Sequence, residues 1–416
     1  MATKVERRAS NETLREYGPQ DWKDFAHTGP GTLAGRYMRM FWHPVYRAQD
    51  LERGRAKPVR LMSEDFTLYR GEDGAPHAVA FRCAHRGTQL STGWVEGDNL
   101  RCFYHGWMYG PDGQCIEQPA EPEPFAQKVR IRSYPTEEYL GLIFVYLGEG
   151  DAPPLPRYPD FEVDGNFEIG IWTLPCNFFQ VHENDPVHPA FVHRNAGLPK
   201  GVFGRIPRVS VEETEWGMAE YRRWDDGEFR DSHHGMPNVS HNMKWPKTQP
   251  PMPESGWVNS LYWRVPVDDE HMMQPTVDLT RVTGEAKETF RERRATWMAL
   301  EQQIPMEELA VKVLAGQMHV DELNDYRGKT KVVSAQDYVA QVGQGAVADR
   351  SNEHLGRTDV GVILLRKMWI RELRALAEGR PLKQWKRPDD LVASTSEYGS
   401  NAFAEVPKEG SKAAQA

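Results

Sequence analysis

The 416-residue sequence contains only four cysteines, Cys83, Cys102, Cys115 and Cys176. So few cysteines exclude a fold that is built on disulfides. No apolar run approaches the roughly 20 residues that a membrane-spanning helix needs. The first ten residues, MATKVERRAS, lack the apolar segment of an export signal. We therefore predict a cytoplasmic protein that does not enter a membrane.

The chain also lacks an excess of basic residues, since 51 lysines and arginines stand against 60 aspartates and glutamates, for a net charge of −9. This balance argues against nucleic acid as a partner and suits a basic redox partner. The composition, 39% hydrophobic and 27% charged, is ordinary for a globular protein. A chain of this length exceeds one compact core and predicts two domains.

Four side chains that commonly bind metals stand in two short pairs between residues 83 and 105. One residue separates Cys83 from His85, two residues separate Cys102 from His105, and sixteen residues lie between the pairs. Each pair fits the tip of its own hairpin loop. Two such tips that face each other would bring two thiolates and two imidazoles around one inorganic centre.

Two kinds of centre use this ligand set, and four unligated core residues are a third interpretation. Tetrahedral zinc accepts two cysteines and two histidines. Its usual spacing places cysteine near cysteine and histidine near histidine, whereas each pair here has one cysteine and one histidine. A Rieske [2Fe-2S] cluster takes two thiolates on one iron and two imidazoles on the other. Gly87 and Gly106 favour the cluster, because they let backbone N–H groups approach its sulfurs. Cys115 is predicted to be a packed thiol and not a ligand, and no disulfide with Cys176 is expected.

Short apolar segments predict an α+β fold with two parts. Strands are expected at 59–62, 66–70, 77–81 and 140–147, which together indicate a small antiparallel sheet domain. The proline-rich stretch DAPPLPRYPD follows and is interpreted as a linker. We predict these regions: a polar lead-in with one short helix at 1–36, a first domain at 37–150, the linker at 151–159, a second domain at 160–395 and a disordered tail at 396–416.

The second domain is predicted to be an antiparallel sheet flanked by helices. Strands are expected at 167–174, 205–213, 218–224 and 257–265, and helices after residue 283, of which 359–378 has the clearest apolar stripe. The segment 233–253 has five prolines and few aliphatic residues and is predicted to be a long loop. Its histidines, His233, His234 and His241, lack metal-ligand spacing and are interpreted as lining a surface or a pocket.

A second candidate metal site lies in the segment 176–193, CNFFQVHENDPVHPAFVH. Non-haem ferrous oxygenases use two histidines and one carboxylate and leave other positions open. On a straight α-helix His188 and His193 would point about 140° apart, so a break or a π-type turn must lie between them if they share an ion. Pro186 and Pro189 favour such a break. Alternatively, the histidines are hydrogen-bonded core residues and Asp185 caps a helix that begins with Pro186.

The motifs C-A-H-R-G, C-F-Y-H-G-W and G-P-D-G-Q-C, in that order, resemble the Rieske domain of ring-hydroxylating oxygenase alpha subunits. The resemblance covers about residues 37–148 and extends to D-P-x-H-x4-H at 185–193, which resembles the iron-binding motif of the same family. It implies two cofactors, a Rieske [2Fe-2S] cluster and a mononuclear Fe(II). It assigns the cluster to four ligands: Cys83, His85, Cys102 and His105.

By the same resemblance, His188 and His193 are ligands of the mononuclear iron. Asp185 is then the bridge that receives an electron from the cluster of a neighbouring subunit, through that cluster's ligand His105. His182 does not occupy a ligand position of the family. The resemblance further implies a head-to-tail homotrimer and a separate reductase, with or without a ferredoxin, because no nicotinamide or flavin signature stands out in the chain.

The chain departs from the family pattern just before the bridge. Related sequences often have Asn or Asp about four residues before the bridging Asp, and this chain has Val181 there and Asn184 directly before Asp185. The hydrogen-bond network around the iron is therefore expected to be shorter or differently built.

The third iron ligand is expected to be a downstream carboxylate, and position alone does not choose among seven: Asp321, Glu322, Asp325, Asp337, Asp349, Glu353 and Asp359. The run QDYVAQVGQG at 336–345 resembles the family segment in which Asp is followed seven residues later by Gln and Gly. The resemblance therefore selects Asp337. Asp359 is better explained as the cap of the last helix.

These motifs predict an oxygenase that acts on an aromatic substrate with O2. The resemblance to the branch with phthalate dioxygenases and aryl O-demethylases favours O-demethylation of a methoxylated, lignin-derived aromatic; ring dihydroxylation of an aromatic acid and N-demethylation are alternatives. An electron-transfer Rieske protein without oxygen chemistry is an alternative of another class. Arg194, Lys200 and Arg205 follow the iron motif and are either a site for a substrate carboxylate or a solvated face.

Overall fold

The computed structural model describes residues 17–184, 187–194, 204–244 and 255–395. Short antiparallel strands build its first part, as the alternating apolar segments predict. The strands before residue 150 are β1 (Trp42–Arg47), β2 (Ala56–Leu61), β3 (Glu64–Arg70), β4 (Pro76–Ala80), β5 (Trp94–Glu96), β6 (Asn99–Arg101), β7 (Met108–Tyr109), β8 (Cys115–Glu117), β9 (Ser133–Tyr134), β10 (Thr136–Tyr139) and β11 (Leu142–Tyr146). They form three sheets, in the orders β1-β11-β10, β2-β3-β4-β9 and β5-β6-β7-β8.

Two helices precede these strands, α1 (Pro19–Trp22) and α2 (Leu33–Arg39), where the sequence predicts a polar lead-in with one short helix. Thr32 begins α2, because its hydroxyl accepts a hydrogen bond of 3.0 Å from the Gly35 amide. Tyr37 and Met38 are fully buried. This helix is therefore part of the core.

The second part contains one large antiparallel sheet with helices against it. Its elements are β12 (Asn166–Leu174), α3 (Phe178–His182), α4 (His188–Val192), β13 (Arg208–Glu213), β14 (Gly217–Arg223), β15 (Phe229–Gly235), β16 (Val239–Lys244), β17 (Val258–Trp263), β18 (Val265–Pro266), β19 (Met272–Thr280), α5 (Gly284–Glu301), α6 (Met306–Leu314), α7 (Val332–Val342), α8 (Val360–Ala377) and β20 (Ser394–Thr395). The sheet order is β12-β19-β17-β16-β15-β14-β13, and β18 and β20 pair with β19 and β15. The predicted α+β fold class is confirmed.

The prediction of a long loop at 233–253 is wrong for its first half, because β15 and β16 occupy much of 229–244; residues 245–254 lie outside the described residues. The three histidines, interpreted as lining a surface or a pocket, lie on the strands β15 and β16. His241 is fully buried and its Nε2 lies 2.6 Å from Asn259 Oδ1 and 3.3 Å from Asp160 Oδ2. Polar side chains on neighbouring strands thus satisfy one another, and a strand forms without an aliphatic pattern.

The helices meet the first part of the chain at a cluster of aromatic rings. Trp369 of α8 is fully buried, and its ring lies 5.4 Å from that of Tyr37 on α2 and 5.3 Å from that of Phe179 on α3. The apolar stripe predicted for 359–378 is therefore core packing. No helix in the described ranges is long and apolar enough to cross a membrane.

The stretch predicted as a linker has no helix or strand at 151–158, but it is packed against both parts. Leu155 and Tyr158 are buried, and the Trp42 indole donates a hydrogen bond of 2.7 Å to the Pro153 carbonyl. The ring of Tyr158 lies 5.8 Å from that of Trp263 on β17. This stretch therefore fixes the first part of the chain against the large sheet.

Candidate metal centres

The two predicted cluster loops have the same backbone design. In each, a glycine four residues after the cysteine donates its amide to the cysteine carbonyl, at 2.9 Å for Gly87 and Cys83 and 3.0 Å for Gly106 and Cys102. Both glycines have positive φ, +77° and +78°, which L side chains rarely adopt. The spacing difference between C-x-H and C-x-x-H therefore leaves the loop geometry unchanged and moves only the histidine.

These loops bring the four predicted ligands together. The thiols of Cys83 and Cys102 are buried, and burial raises the pKa of Cys102, which the neighbouring Cys83 thiol raises further. The rings of His85 and His105 are 4.4 Å apart and half-buried. The arrangement offers two thiols on the inner side and two imidazoles on the outer side, as a Rieske cluster requires.

The other two cysteines are not ligands in this arrangement. Cys115 is buried in the core behind the cluster loops and its thiol donates to the Glu117 carbonyl at 3.6 Å. Cys176 is also buried, and burial raises its pKa to about 12. Both are free thiols, as predicted.

The second site forms where α4 meets α7. His188 Nε2 lies 3.7 Å and His193 Nε2 lies 3.2 Å from Asp337 Oδ1, and the three donor atoms lie within 4.8 Å of one another. The break that must lie between the two histidines is the end of α4 at Val192, and not a π-type turn. His193 follows this end with non-helical backbone angles, φ −105° and ψ 9°. Asp337 Oδ1 is buried without a hydrogen-bond partner, as expected of an atom that faces a cation.

A glutamine that the sequence analysis missed orients one of these histidines. Gln336 Oε1 accepts a hydrogen bond of 3.0 Å from His193 Nδ1, and both side chains are buried. The bond places the proton on Nδ1 and leaves the Nε2 lone pair directed at the other donors. Burial lowers the pKa of His193, but the Asp337 carboxylate and the Gln336 hydrogen bond outweigh it, so the net shift is upward.

A second missed glutamine connects α3 to the turn after α7. Gln180 Nε2 donates to the carbonyls of Gln341 and Gly345 at 2.9 Å, and its Oε1 accepts from the Ala348 amide at 2.9 Å. The histidine-bearing segment and the helix that carries Asp337 are therefore held together. No local sequence signal marks Gln180, because its partners lie more than 160 residues away.

An ion-pair network lies beside this connection. Glu183 is buried and accepts hydrogen bonds from Arg350 at 2.6 Å and from Arg366 at 2.7 Å. Asn184, the next residue, has its amide nitrogen 3.4 Å from His188 Nε2. The predicted bridge Asp185 and its neighbour Pro186 lie outside the described residues.

The other candidate carboxylates have different surroundings. Asp349 accepts from the Ser351 amide, Glu353 pairs with Arg366, and Asp359 accepts from the Gly356 amide at the start of α8. Within the described ranges, the only other group of donor atoms at metal-like separations is Asp73, His77 and Asp98, at the turn after β3. Asp73 and Asp98 there accept hydrogen bonds from turn amides, which explains their positions.

Arg205, one of the basic residues after the iron motif, has acidic partners of its own. Arg205 pairs with Asp226 and Glu228 at 2.6 Å on the surface, which agrees with the solvated-face interpretation. Lys200 lies outside the described residues. His182 does not join the metal donors and is buried against the large sheet.

Comparisons with known proteins identify the family. Residues 41–135 match the Rieske [2Fe-2S] domain. The chain is 32% identical over 373 residues to the 5,5'-dehydrodivanillate O-demethylase oxygenase subunit of Sphingobium sp., covering 86% of this chain and 81% of that protein. It is 31% identical over 376 residues to phenoxybenzoate dioxygenase subunit alpha of Ectopseudomonas oleovorans, covering 84% of each.

Solved structures agree on the fold. The carbazole-bound oxygenase in the ferredoxin complex of carbazole 1,9a-dioxygenase superposes with a TM-score of 0.60 at 20% identity, over 88% of this chain and 96% of that one. Identity above 30% over most of a relative's length establishes more than a fold. The chain belongs to the Rieske non-haem iron oxygenases, as an alpha-type subunit whose cofactors are a Rieske [2Fe-2S] cluster and a mononuclear iron.

Proposed function

We propose that this chain is the terminal component of a multi-component oxygenase that uses O2 and reductase-supplied electrons to O-demethylate a methoxylated aromatic compound. The identity with an O-demethylase oxygenase subunit supports this substrate class. The observation that carries the proposal is the convergence of His188, His193 and Asp337, because a chain that only transfers electrons has no need of a second metal site.

We assign the two cofactors to seven side chains. The cluster ligands are Cys83, His85, Cys102 and His105, and the iron ligands are His188, His193 and Asp337. When bound, the cluster supplies electrons one at a time and the iron supplies the site where O2 is activated. Two histidines and a carboxylate on one side of an ion leave its other side open for O2 and substrate.

The side chains around the iron donors prepare the site. Gln336 holds His193 with its Nε2 lone pair toward the donors, so the ring needs no rearrangement when the ion binds. His193 is 3% exposed, whereas His188 and Asp337 are 22% and 26% exposed. The open side of the site is therefore the side of His188 and Asp337, and we place the aromatic substrate there.

Electrons would reach the iron from a neighbouring copy of the chain in a homotrimer, with Asp185 as the bridge. Phe103 and Tyr104, directly before His105, are strongly exposed at 49% and 53%, and Trp94 on β5 is 57% exposed. An exposed apolar group around a redox centre suits burial against a partner, and a head-to-tail ring would place it against the iron site of the next subunit. Substitution of Asp185 by Asn should leave both cofactors bound and slow reduction of the iron; unchanged turnover at full metal content would refute the role.

The electron donor is proposed to be a separate reductase, with or without a ferredoxin. A solved relative of the same fold forms an oxygenase–ferredoxin complex, which supports a diffusible partner. A surrogate reductase with NADH is therefore the practical source of electrons for a test.

The test of the reaction is a substrate screen with the holoenzyme, a surrogate reductase and O2, in which methoxylated and carboxylated aromatics are compared. O-demethylation releases formaldehyde and a phenol in proportion to O2 consumed. Dihydroxylation releases a diol and no formaldehyde, and the identity with a phenoxybenzoate dioxygenase subunit makes it the second candidate. Two irons and two sulfides per chain, with no third iron after anaerobic reconstitution, would instead support electron transfer alone.

A further inference from the structure

One face of the large sheet is both polar and buried. The register pairs Glu220 on β14 with Ser232 on β15, and His234 on β15 with Ser240 on β16, so these side chains share a face. A side-chain carbon at Gly361 of α8 would lie 3.6 Å from Glu220 Oε2. This face is therefore the one that α8 covers, and its polar groups lie in the interior.

Arg264 lies on this face without a counter-charge. Its side chain is buried, Nη1 donates to Ser240 Oγ at 2.6 Å, and the guanidinium lies 4.0 Å from the Tyr262 ring centre. Its Nε is buried without a hydrogen-bond partner. Across the described ranges, no carboxylate oxygen forms an ion pair with it, whereas the buried Arg387 pairs with Asp160 at 2.6 Å. Burial lowers the pKa of Arg264, as expected of a cation that has lost water and gained no anion.

His182 at the end of α3 faces the same region. It is 2% exposed, and the Pro237 carbonyl lies near its ring, although neither ring nitrogen makes a well-formed hydrogen bond. Its ring centre lies 6.4 Å from that of His234. Burial and then the charge of Arg264 hold the pKa of His182 well below its usual range, and the Pro237 carbonyl opposes this shift. The neutral ring carries one N–H, which can point to Pro237 or to a ligand.

This region adjoins the metal donors through the chain itself. His182 precedes Asn184 by two residues, which is at most about 7 Å of extended chain. The Asn184 amide nitrogen lies 3.4 Å from His188 Nε2. Asn184 therefore links this region to the iron donors.

We propose that Arg264 and His182 form a carboxylate-binding subsite that holds the acid group of an aromatic acid while the rest of the ring reaches the iron donors. The inference rests on the proposed function and narrows its substrate to anionic aromatics. A buried guanidinium without a carboxylate is unfavourable unless a ligand supplies the anion. Ser240 orients Arg264, and His234 orients Ser240 through a contact of 3.0 Å between Nδ1 and Oγ.

The test measures anaerobic binding of two probes to the holoenzyme by calorimetry, 4-methoxybenzoate and the neutral 4-methoxytoluene. The wild-type protein should bind the acid at least tenfold more tightly. Arg264→Gln should weaken binding of the acid tenfold or more, as expected for loss of a charged hydrogen bond. It should leave the affinity for the neutral probe unchanged. His182→Phe should weaken binding of the acid by a smaller factor. Arg205→Gln is the matched control and should change the binding of neither probe, because Arg205 is a partly exposed arginine with its own acidic partners.

The outcomes separate this inference from the proposed function. Equal binding of both probes by the wild-type protein, a comparison that needs no variant to fold, would overturn the subsite and leave the oxygenase proposal standing. If Arg264→Gln lowered the affinity for both probes equally, with cluster absorbance and iron content intact, the subsite would be overturned as well. Binding of neither probe by a fully loaded protein would count against aromatic ethers and acids as substrates, and so against both proposals.

Discussion

In the proposed iron site, a single hydrogen bond orients His193. Gln336 Oε1 accepts from Nδ1 at 3.0 Å, and replacement by Leu would free the ring to rotate and to change tautomer. We expect Gln336→Leu to weaken iron affinity by about 10- to 100-fold, the usual effect of losing such a partner. The measurement is iron content after dialysis against a graded chelator.

Gln336→Glu should retain most of the affinity, because a carboxylate accepts from the same Nδ1–H. Gln344→Leu is the matched control, since Gln344 is exposed and its side-chain amide donates to the Ala340 carbonyl at 3.4 Å. If Gln336→Leu retained iron as tightly as Gln344→Leu, the orienting role would be wrong.

Buried histidines make the stability of the fold sensitive to acid. Burial lowers the pKa of His43 and His233 to about 4 and that of His234 and His241 to about 3. Unfolded histidines take up a proton as the pH falls through about 6.5, whereas these four stay neutral while folded. Stability is therefore lost between about pH 6.5 and 4, by roughly 1 kcal/mol per histidine between pH 7 and 5.5.

Replacement of one such histidine should flatten this dependence. We expect the urea midpoint of His43→Gln to fall less between pH 7 and 5.5 than that of the wild type, whatever its stability at pH 7. His319→Gln, at a site where the side chain is 69% exposed, should keep the wild-type slope. Identical slopes for His43→Gln and the wild type would contradict the account.

At the scale of elements, the iron site depends on the junction of α3, α4 and α7. The two histidines lie at the start and just after the end of a five-residue helix, which has little stability of its own. Gln180 and Glu183 fix the preceding segment to distant parts of the chain. The geometry of the donors is thus set by contacts that are remote in sequence.

Loss of the Glu183 charge should therefore release iron and spare the cluster. Glu183→Gln leaves Arg350 and Arg366 without their buried carboxylate, which costs about 3 kcal/mol. We expect iron content to fall while the visible spectrum of the cluster is unchanged. Glu308→Gln removes an exposed carboxylate that pairs with Lys312 and should change neither quantity. Equal iron content in the two variants would show that the network is not needed.

These contacts also explain how far the sequence could be interpreted. The strand over 166–174 and the helix over 360–377 follow from local apolar patterns. The strands β15 and β16 do not, because their buried side chains are polar and find partners only in the assembled sheet. Likewise, the motif at 185–193 identifies two histidines, but position alone could not select Asp337, since its approach to them requires the packing of α7 against α4.

At the scale of the whole molecule, one core joins the two parts of the chain. Tyr37, Phe179 and Trp369 come from three remote segments and pack as one aromatic group. Such packing fixes α2 against the helices α3 and α8 of the second part. In the proposed head-to-tail trimer, the electron crosses between subunits and not within one.

Two complementary variants test that electron route. A His105→Ala chain lacks an intact cluster site, an Asp337→Ala chain lacks an intact iron site, and each should be inactive alone. Co-expressed with different tags and purified as mixed trimers, they should show about a third of wild-type turnover, because every mixed ring of three has one junction that joins an intact cluster to an intact iron site. Mixtures of the separately purified variants control for contact between free oligomers. Electron transfer within a single chain predicts no activity in any mixture, and that result would remove the need for a shared active site.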